Sequence, residues 1–135
     1  MIDLLNAGDI DGAMNLVALD FKGEDVALGE LVEGREGVRA QAKGWLTAIA
    51  GAQQQFTNIV SAGDQIVVEG TLSGIHAGTL EAKGKMFPKT GRRVAFRFCT
   101  IAKIRDGLVA AETHYYDLNS LLEQLNGAQL GSEGR

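Results

Sequence analysis

Arg93-Val94-Ala95-Phe96-Arg97-Phe98-Cys99-Thr100-Ile101-Ala102-Lys103-Ile104, followed by Arg105-Asp106-Gly107 and then by Leu108 to Tyr116, is the stretch whose reading decides the fold. Val94, Phe96, Phe98, Thr100 and Ala102 alternate with Arg93, Ala95, Arg97, Cys99 and Ile101. In a strand such a period of two gives one bulky apolar face and one mixed face. Asp106-Gly107 supplies the positive φ that a tight hairpin needs, so Leu108 to Tyr116 returns antiparallel to the first run. On that return strand Glu112, His114 and Tyr116 point to one face, because side chains alternate.

Working outward, Phe56, Ile59 and Val60, then Ile66, Val67 and Val68, form short β-branched runs around the turn Ala62-Gly63-Asp64. Gly70, Gly74 and Gly78 recur at four-residue spacing, where a strongly curved sheet needs bends. Upstream, Ile10, Ala13, Met14, Leu16 and Val17 predict a short helix between Asp9 and Leu19, with Asp9 as its cap. Val38, Ala42, Trp45, Leu46 and Ile49 form the apolar stripe of a longer helix from Gly34, wet on the side of Arg35, Glu36, Arg39, Gln41 and Lys43. Asp20 to Glu33 is mixed and reads as loop with one short strand. Leu118, Leu121, Leu122 and Leu125 make a last helix stopped by Asn126-Gly127, with residues 128–135 as a frayed tail. Helices, then strands, then a small helix give an α+β domain over residues 1–127 with helices on one face of an antiparallel sheet. A helix across the mouth of a curved sheet encloses a pocket suited to a small ligand.

The 135 residues suffice for one core, with 45% hydrophobic residues. Thirteen Lys+Arg against 17 Asp+Glu leave a formal charge of −4, which opposes nucleic-acid binding. The basic run Lys83, Lys85, Lys89, Arg92, Arg93 and Arg97 reads as a solvated face. Cys99 has no partner for a disulfide and sits in an apolar stretch, which fits a reducing compartment. The N-terminus lacks a signal-peptide pattern and no run is long enough for a bilayer, so the expectation is a cytoplasmic protein without a membrane segment.

Several pieces occur in a telling order: Asn6-Ala7-Gly8-Asp9, Gly34-Arg35-Glu36-Gly37-Val38-Arg39, Gly63 through Gly70, and Gly74-Ile75-His76-Ala77-Gly78. Pro88-Lys89-Thr90-Gly91-Arg92-Arg93-Val94, Glu112-Thr113-His114-Tyr115-Tyr116-Asp117 and Leu121-Leu122-Glu123-Gln124-Leu125 then follow. Together they resemble the SnoaL-like branch of the NTF2-like superfamily, which includes polyketide cyclases and proteins called ester cyclases. The resemblance covers nearly the whole chain. It implies a cone: a strongly bent antiparallel sheet wrapped around N-terminal helices, a deep apolar pocket, and a homodimer through the sheet. It also implies a longer first helix than Met1 to Leu5 allows, so the expectation is a shortened start or a pocket more open on one side. Scaffold and reaction are loosely tied in such folds, so chemistry must come from the site.

His114 stands where the resemblance places a pocket acid/base, commonly an Asp. An imidazole can accept and donate a proton near neutral pH; the other reading is a buried histidine bonded to a neighbouring strand. Glu112 or Tyr116 would set its charge state or bond a developing oxyanion. Thr100 aligns with a pocket histidine of the polyketide cyclases, which weakens an aldol-cyclase reading. His76 either meets the pocket or stabilises a bend, the second being favoured. Trp45, Phe96, Phe98, Thr100 and His76 are the expected substrate contacts, and Asp117 is expected to cap the last helix or act as a secondary site. Neither a metal-ligand set nor a dinucleotide or phosphate-binding glycine motif occurs, so no cofactor or metal is expected. The leading expectation is a cofactor-independent cyclase, isomerase or hydrolase acting on an apolar carbonyl compound. The alternatives are a non-catalytic binder of a hydrophobic metabolite and an assembly module with a vestigial pocket.

Overall fold

The computed structural model describes residues 2–125; the helix stop at Asn126-Gly127 and the tail 128–135 lie outside them. Two short helices, α1 (Ile2–Asn6) and α2 (Ile10–Met14), precede β1 (Val17–Asp25), β2 (Glu30–Glu33) and the long helix α3 (Gly34–Ala48). Then come β3 (Ile49–Ala62), β4 (Gln65–His76), the small hairpin β5 (Leu80–Ala82) and β6 (Lys85–Phe87), β7 (Arg93–Arg105) and β8 (Leu108–Tyr116). Residues 118–125 are helical and form α4. Six strands make one sheet in the order β2-β1-β8-β7-β4-β3. Its neighbours are antiparallel except β1 and β8, which run parallel.

The hairpin that decides the fold forms as its sequence dictates. Asp106 and Gly107 have φ of 54° and 76°, the pair of positive values of a type I′ turn, and β7 pairs with β8 from Arg105↔Leu108 to Phe98↔Tyr116. Val94, Phe96, Thr100 and Ala102 are buried on the concave side. The bend comes from β3 and β4. The β3 register slips between Ala50 and Gln53 and between Phe56 and Asn58, opposite Gly74 and Gly70. A Cβ at Gly70 would stand 2.8 Å from the Phe98 ring and collide with the Gln55 carbonyl, so only glycine permits this approach. Gly78 lies past the end of β4, against the Thr47 carbonyl, and so bends the exit from the strand rather than the strand itself.

Two apolar clusters hold the sheet to its helices. One gathers Ile49, Val94, Phe96, Leu121 and Leu125 with Trp45 and Leu46 against it. The other gathers Ala13, Met14, Val17, Phe21 and Val32, with Val38 packed on it. The expected helix between Asp9 and Leu19 is shorter: Asp9 caps it as foreseen, accepting from the Gly12 N–H at 2.9 Å, but the chain leaves the helix after Met14. Val17 and Phe21 are four apart, a spacing that suits one face of either a helix or a strand. Pairing with β8 and β2 settles it as strand, and the expected loop from Asp20 to Glu33 becomes the rest of β1 and all of β2. The register shift between Val17 and Lys22 explains why that segment looks irregular in sequence.

Asn6 closes the free edge of β3. Its side-chain carbonyl accepts from Gln54 N–H at 2.8 Å and its amide donates to the Gln54 carbonyl at 3.1 Å. One side chain thereby satisfies both outward backbone groups of an edge residue, which otherwise invite pairing with another strand.

Candidate functional site

Between the concave face of the sheet and α1, α2 and α3 lies a cavity of about 390 Å³. Its polar wall is set by strand register. Val68 on β4, Thr100 on β7, His114 on β8 and Asp25 on β1 stand opposite one another in one row across four strands. One inward step along β8 in either direction gives Glu112 and Tyr116, and both also line the cavity. Strand parity thus brings the expected triad into one chamber.

The imidazole of His114 is held on both sides. Nδ1 lies 2.8 Å from Thr100 Oγ1 and Nε2 lies 3.5 Å from Glu112 Oε1. A carboxylate only accepts, so the proton facing Glu112 sits on Nε2. In the neutral ring with its proton on Nε2 the Thr100 hydroxyl donates to Nδ1; in the other neutral tautomer and in the charged ring Nδ1–H donates to Thr100. Burial opposes the charged ring, but the hydrogen bond and charge of Glu112 together with the charge of Asp25 outweigh it and raise the pKa above its ordinary 6.5.

Asp25 was not singled out by the sequence, yet it is 1% exposed and lines the cavity. The Tyr116 hydroxyl donates to its Oδ2 at 2.9 Å, and the Leu28 N–H to its Oδ1 at 2.9 Å. Burial, then the charge and hydrogen bond of Asp25 and the charge of Glu30, push the Tyr116 phenol far up, so it stays protonated. Its one proton is directed at Asp25, which leaves the phenol oxygen as an acceptor rather than the donor to an oxyanion that the sequence suggested. A local signal for Asp25 does exist. In Phe21-Lys22-Gly23-Glu24-Asp25 the charged Lys22 and Glu24 alternate outward, which puts an acid at an inward position after Phe21.

The apolar wall carries Trp45, Phe96 and Phe98, as expected, with Phe56, Leu72 and Val68 beside them. Trp45, Phe96 and Tyr116 pack on one another with ring centroids 5.6 to 5.8 Å apart. Gln41, Gln54 and Asn6 add a second polar region that sequence reasoning did not assign.

Two expected residues stand elsewhere. His76 is fully buried but does not line the cavity. Its Nδ1 accepts from the Thr90 N–H at 3.2 Å and lies 3.0 Å from Thr90 Oγ1, which ties the loop before β7 to the end of β4. Burial lowers its pKa, outweighing the backbone groups of Phe87 and Gly78 that raise it, and its Nε2 has no hydrogen-bond partner among the described residues. Asp117 caps α4, accepting from the Ser120 N–H at 3.0 Å, and is likewise outside the cavity wall. Among the described residues, no group of three or more His, Cys, Asp and Glu side chains is placed to hold a metal ion, and no helix is long and apolar enough to cross a membrane.

Comparison with known proteins agrees with this architecture. The family described as SnoaL-like polyketide cyclase matches residues 1–125. No curated protein matches the sequence. A candidate SnoaL-like polyketide cyclase from Jannaschia sp. CCS1 superposes with a TM-score of 0.79 at 22% identity, covering 92% of this chain and 85% of that one. TsrD from Streptomyces laurentii gives 0.77 at 27% identity, over 92% of this chain and 87% of that one. A protein with a ketosteroid isomerase-like fold from Catenulispora acidiphila gives 0.77 at 21% identity, over 93% and 88%.

Proposed function

The chain belongs to the SnoaL-like polyketide cyclase family, and from that premise we propose that it is a cofactor-independent acid/base enzyme acting on an apolar carbonyl compound held in the cone. The observation that carries this reading is His114 itself: an imidazole in a mostly apolar chamber, fixed at Nδ1 by Thr100 and loosely faced at Nε2 by Glu112. At 3.5 Å the Nε2 contact is longer than a strong hydrogen bond, so this is the nitrogen a substrate can reach. In the neutral tautomer that carries its proton on Nδ1, donated to Thr100, Nε2 is bare and takes a proton from carbon next to the substrate carbonyl; Glu112 stabilises the imidazolium so formed, which returns a proton to carbon or oxygen in the product. Thr100 holds the ring through both charge states, because its hydroxyl donates to bare Nδ1 and accepts from Nδ1–H.

Hydrogen–deuterium exchange read by NMR tests this without knowledge of the natural substrate. Incubated in deuterium oxide with a panel of aromatic β-dicarbonyl compounds, the protein catalyses exchange at the carbon between the carbonyls, and His114→Ala loses that exchange while still binding the compound. Equal exchange by the variant eliminates His114 as the base.

A non-catalytic binder is the second reading, and one observation favours it. The Tyr116 proton is already committed to Asp25, so the wall holds no phenol donor for an oxyanion. Binding without exchange by the unaltered protein would select it. The oligomer we propose is a homodimer through the outer sheet face, where Tyr115 is 46% exposed and Val60 52%; light scattering reads its mass directly.

A further inference from the structure

Among the described residues the cavity wall carries carboxylates but no lysine or arginine. Asp25 and Glu112 face the chamber, His114 is the one described group there able to bear positive charge, and Glu30 stands behind Asp25 as its partner on β2. With His114 protonated one carboxylate is still uncompensated; with it neutral, both are. We propose that the ligand of this cavity is an apolar cation, a compound with a tertiary or quaternary ammonium group seated at the Asp25 end, and that the chamber discriminates against carboxylates and phosphates.

Three further features carry the inference. Asp25 is buried, so its field is poorly screened by water and salt and acts across the chamber. Both hydrogen bonds assigned to it come from neutral donors, the Tyr116 hydroxyl and the Leu28 N–H, which orient the carboxylate without cancelling its charge. The neighbouring groups report the same field: the charges of Asp25 and Glu112 favour protonated His114, and those of Asp25 and Glu30 disfavour ionised Tyr116. The apolar remainder of the wall receives a hydrocarbon body. A neutral ligand gains only that burial, and an anionic one adds a like charge to a site that already holds more acid than base.

The inference rests on the reading that this cavity is the ligand site, and the test separates the two. Trp45 is the single tryptophan and lines the chamber, so its fluorescence reports occupancy. Three probes of one frame are titrated against the intact chain: benzyltrimethylammonium, its neutral isostere neopentylbenzene, and phenylacetate. The expected result is a cation affinity about tenfold or more above the neutral probe, with phenylacetate weakest. Glu112→Gln, checked for folding by circular dichroism and titrated at a pH where His114 is neutral in both proteins, should lower the affinity for the cation by a several-fold larger factor than that for the neutral probe. Equal affinities, or phenylacetate binding as tightly as the ammonium, overturn the charge inference and leave the cavity as a ligand site. Failure of all three probes to bind the folded protein overturns both.

Discussion

The chain has two histidines, and they sit in opposite electrostatic worlds. His76 closes β4 in a dry bend, its ring engaged by the neutral Thr90, with no carboxylate among the groups that set its charge, and burial holds it uncharged. His114 stands in a half-buried wall between Glu112 and Asp25, whose charges overcome the same burial penalty. The difference teaches that burial alone does not decide what an imidazole does. Burial against neutral dipoles makes a structural latch, and burial beside carboxylates makes a group that can be charged and discharged within a cavity.

The largest expected effect breaks the comparison from the side of His114. Its replacement by Ala should lower kcat/KM for any turned-over substrate by about 10³-fold, inside the range for loss of a general base, with little change in the urea midpoint. His76→Ala should do the reverse. Removing a fully buried ring and its tie to Thr90 should cost about 2–3 kcal/mol of stability in a urea melt, with kcat at low temperature near that of the parent. If His76→Ala left stability intact and abolished turnover, the assignment of latch and base would have to be exchanged.

How much of this contrast was legible beforehand differs by region. The β7–β8 hairpin and its inward row could be read directly, because alternation and Asp106-Gly107 are local signals. The parity of Glu112, His114 and Tyr116 followed from them. β1 could not be read, since its register shift breaks the alternation just where Val17 and Phe21 also fit a helix. Asp25 was passed over although Lys22 and Glu24 flank an inward position, because its partner Tyr116 is 91 residues away and only the parallel pairing of β1 with β8 brings them together. The role of His76 turned on whether the ring faced the chamber or the bend, which depends on the path of the loop through Thr90 and not on any spacing near His76.

A smaller effect concerns stability against pH. For His76 the folded pKa is lowered, so the unfolded chain takes up a proton first, and stability is lost as pH falls below about 6.5 toward the folded value. For His114 the folded pKa is raised, so its contribution is complete below about 6.5 and is lost as pH rises through the folded value. Each contributes a slope of at most about 1.4 kcal/mol per pH unit. Measured as a difference from the parent, His76→Gln should flatten the acid side of the profile and His114→Gln the alkaline side. The same flattening on the same side for both variants would contradict the opposite directions assigned to the two rings.

The finest test changes the neighbour and leaves the imidazole in place. Glu112→Gln keeps shape and hydrogen-bonding capacity at the position but removes the charge that does most to raise the His114 pKa, while burial still pulls it down. A base must be neutral to act, so kcat/KM of the parent rises with pH through the raised His114 pKa, and in the variant that limb should move to lower pH. At a pH where both rings are neutral, the variant should be modestly slower, since the imidazolium formed on proton abstraction has lost its counter-charge. The asymmetry matters more than the size: a limb moved down with a lower plateau identifies Glu112 as the group that tunes His114. An unmoved limb would mean that Asp25 alone holds the ring's charge, and the working pair would then join β8 to β1 rather than lie along β8.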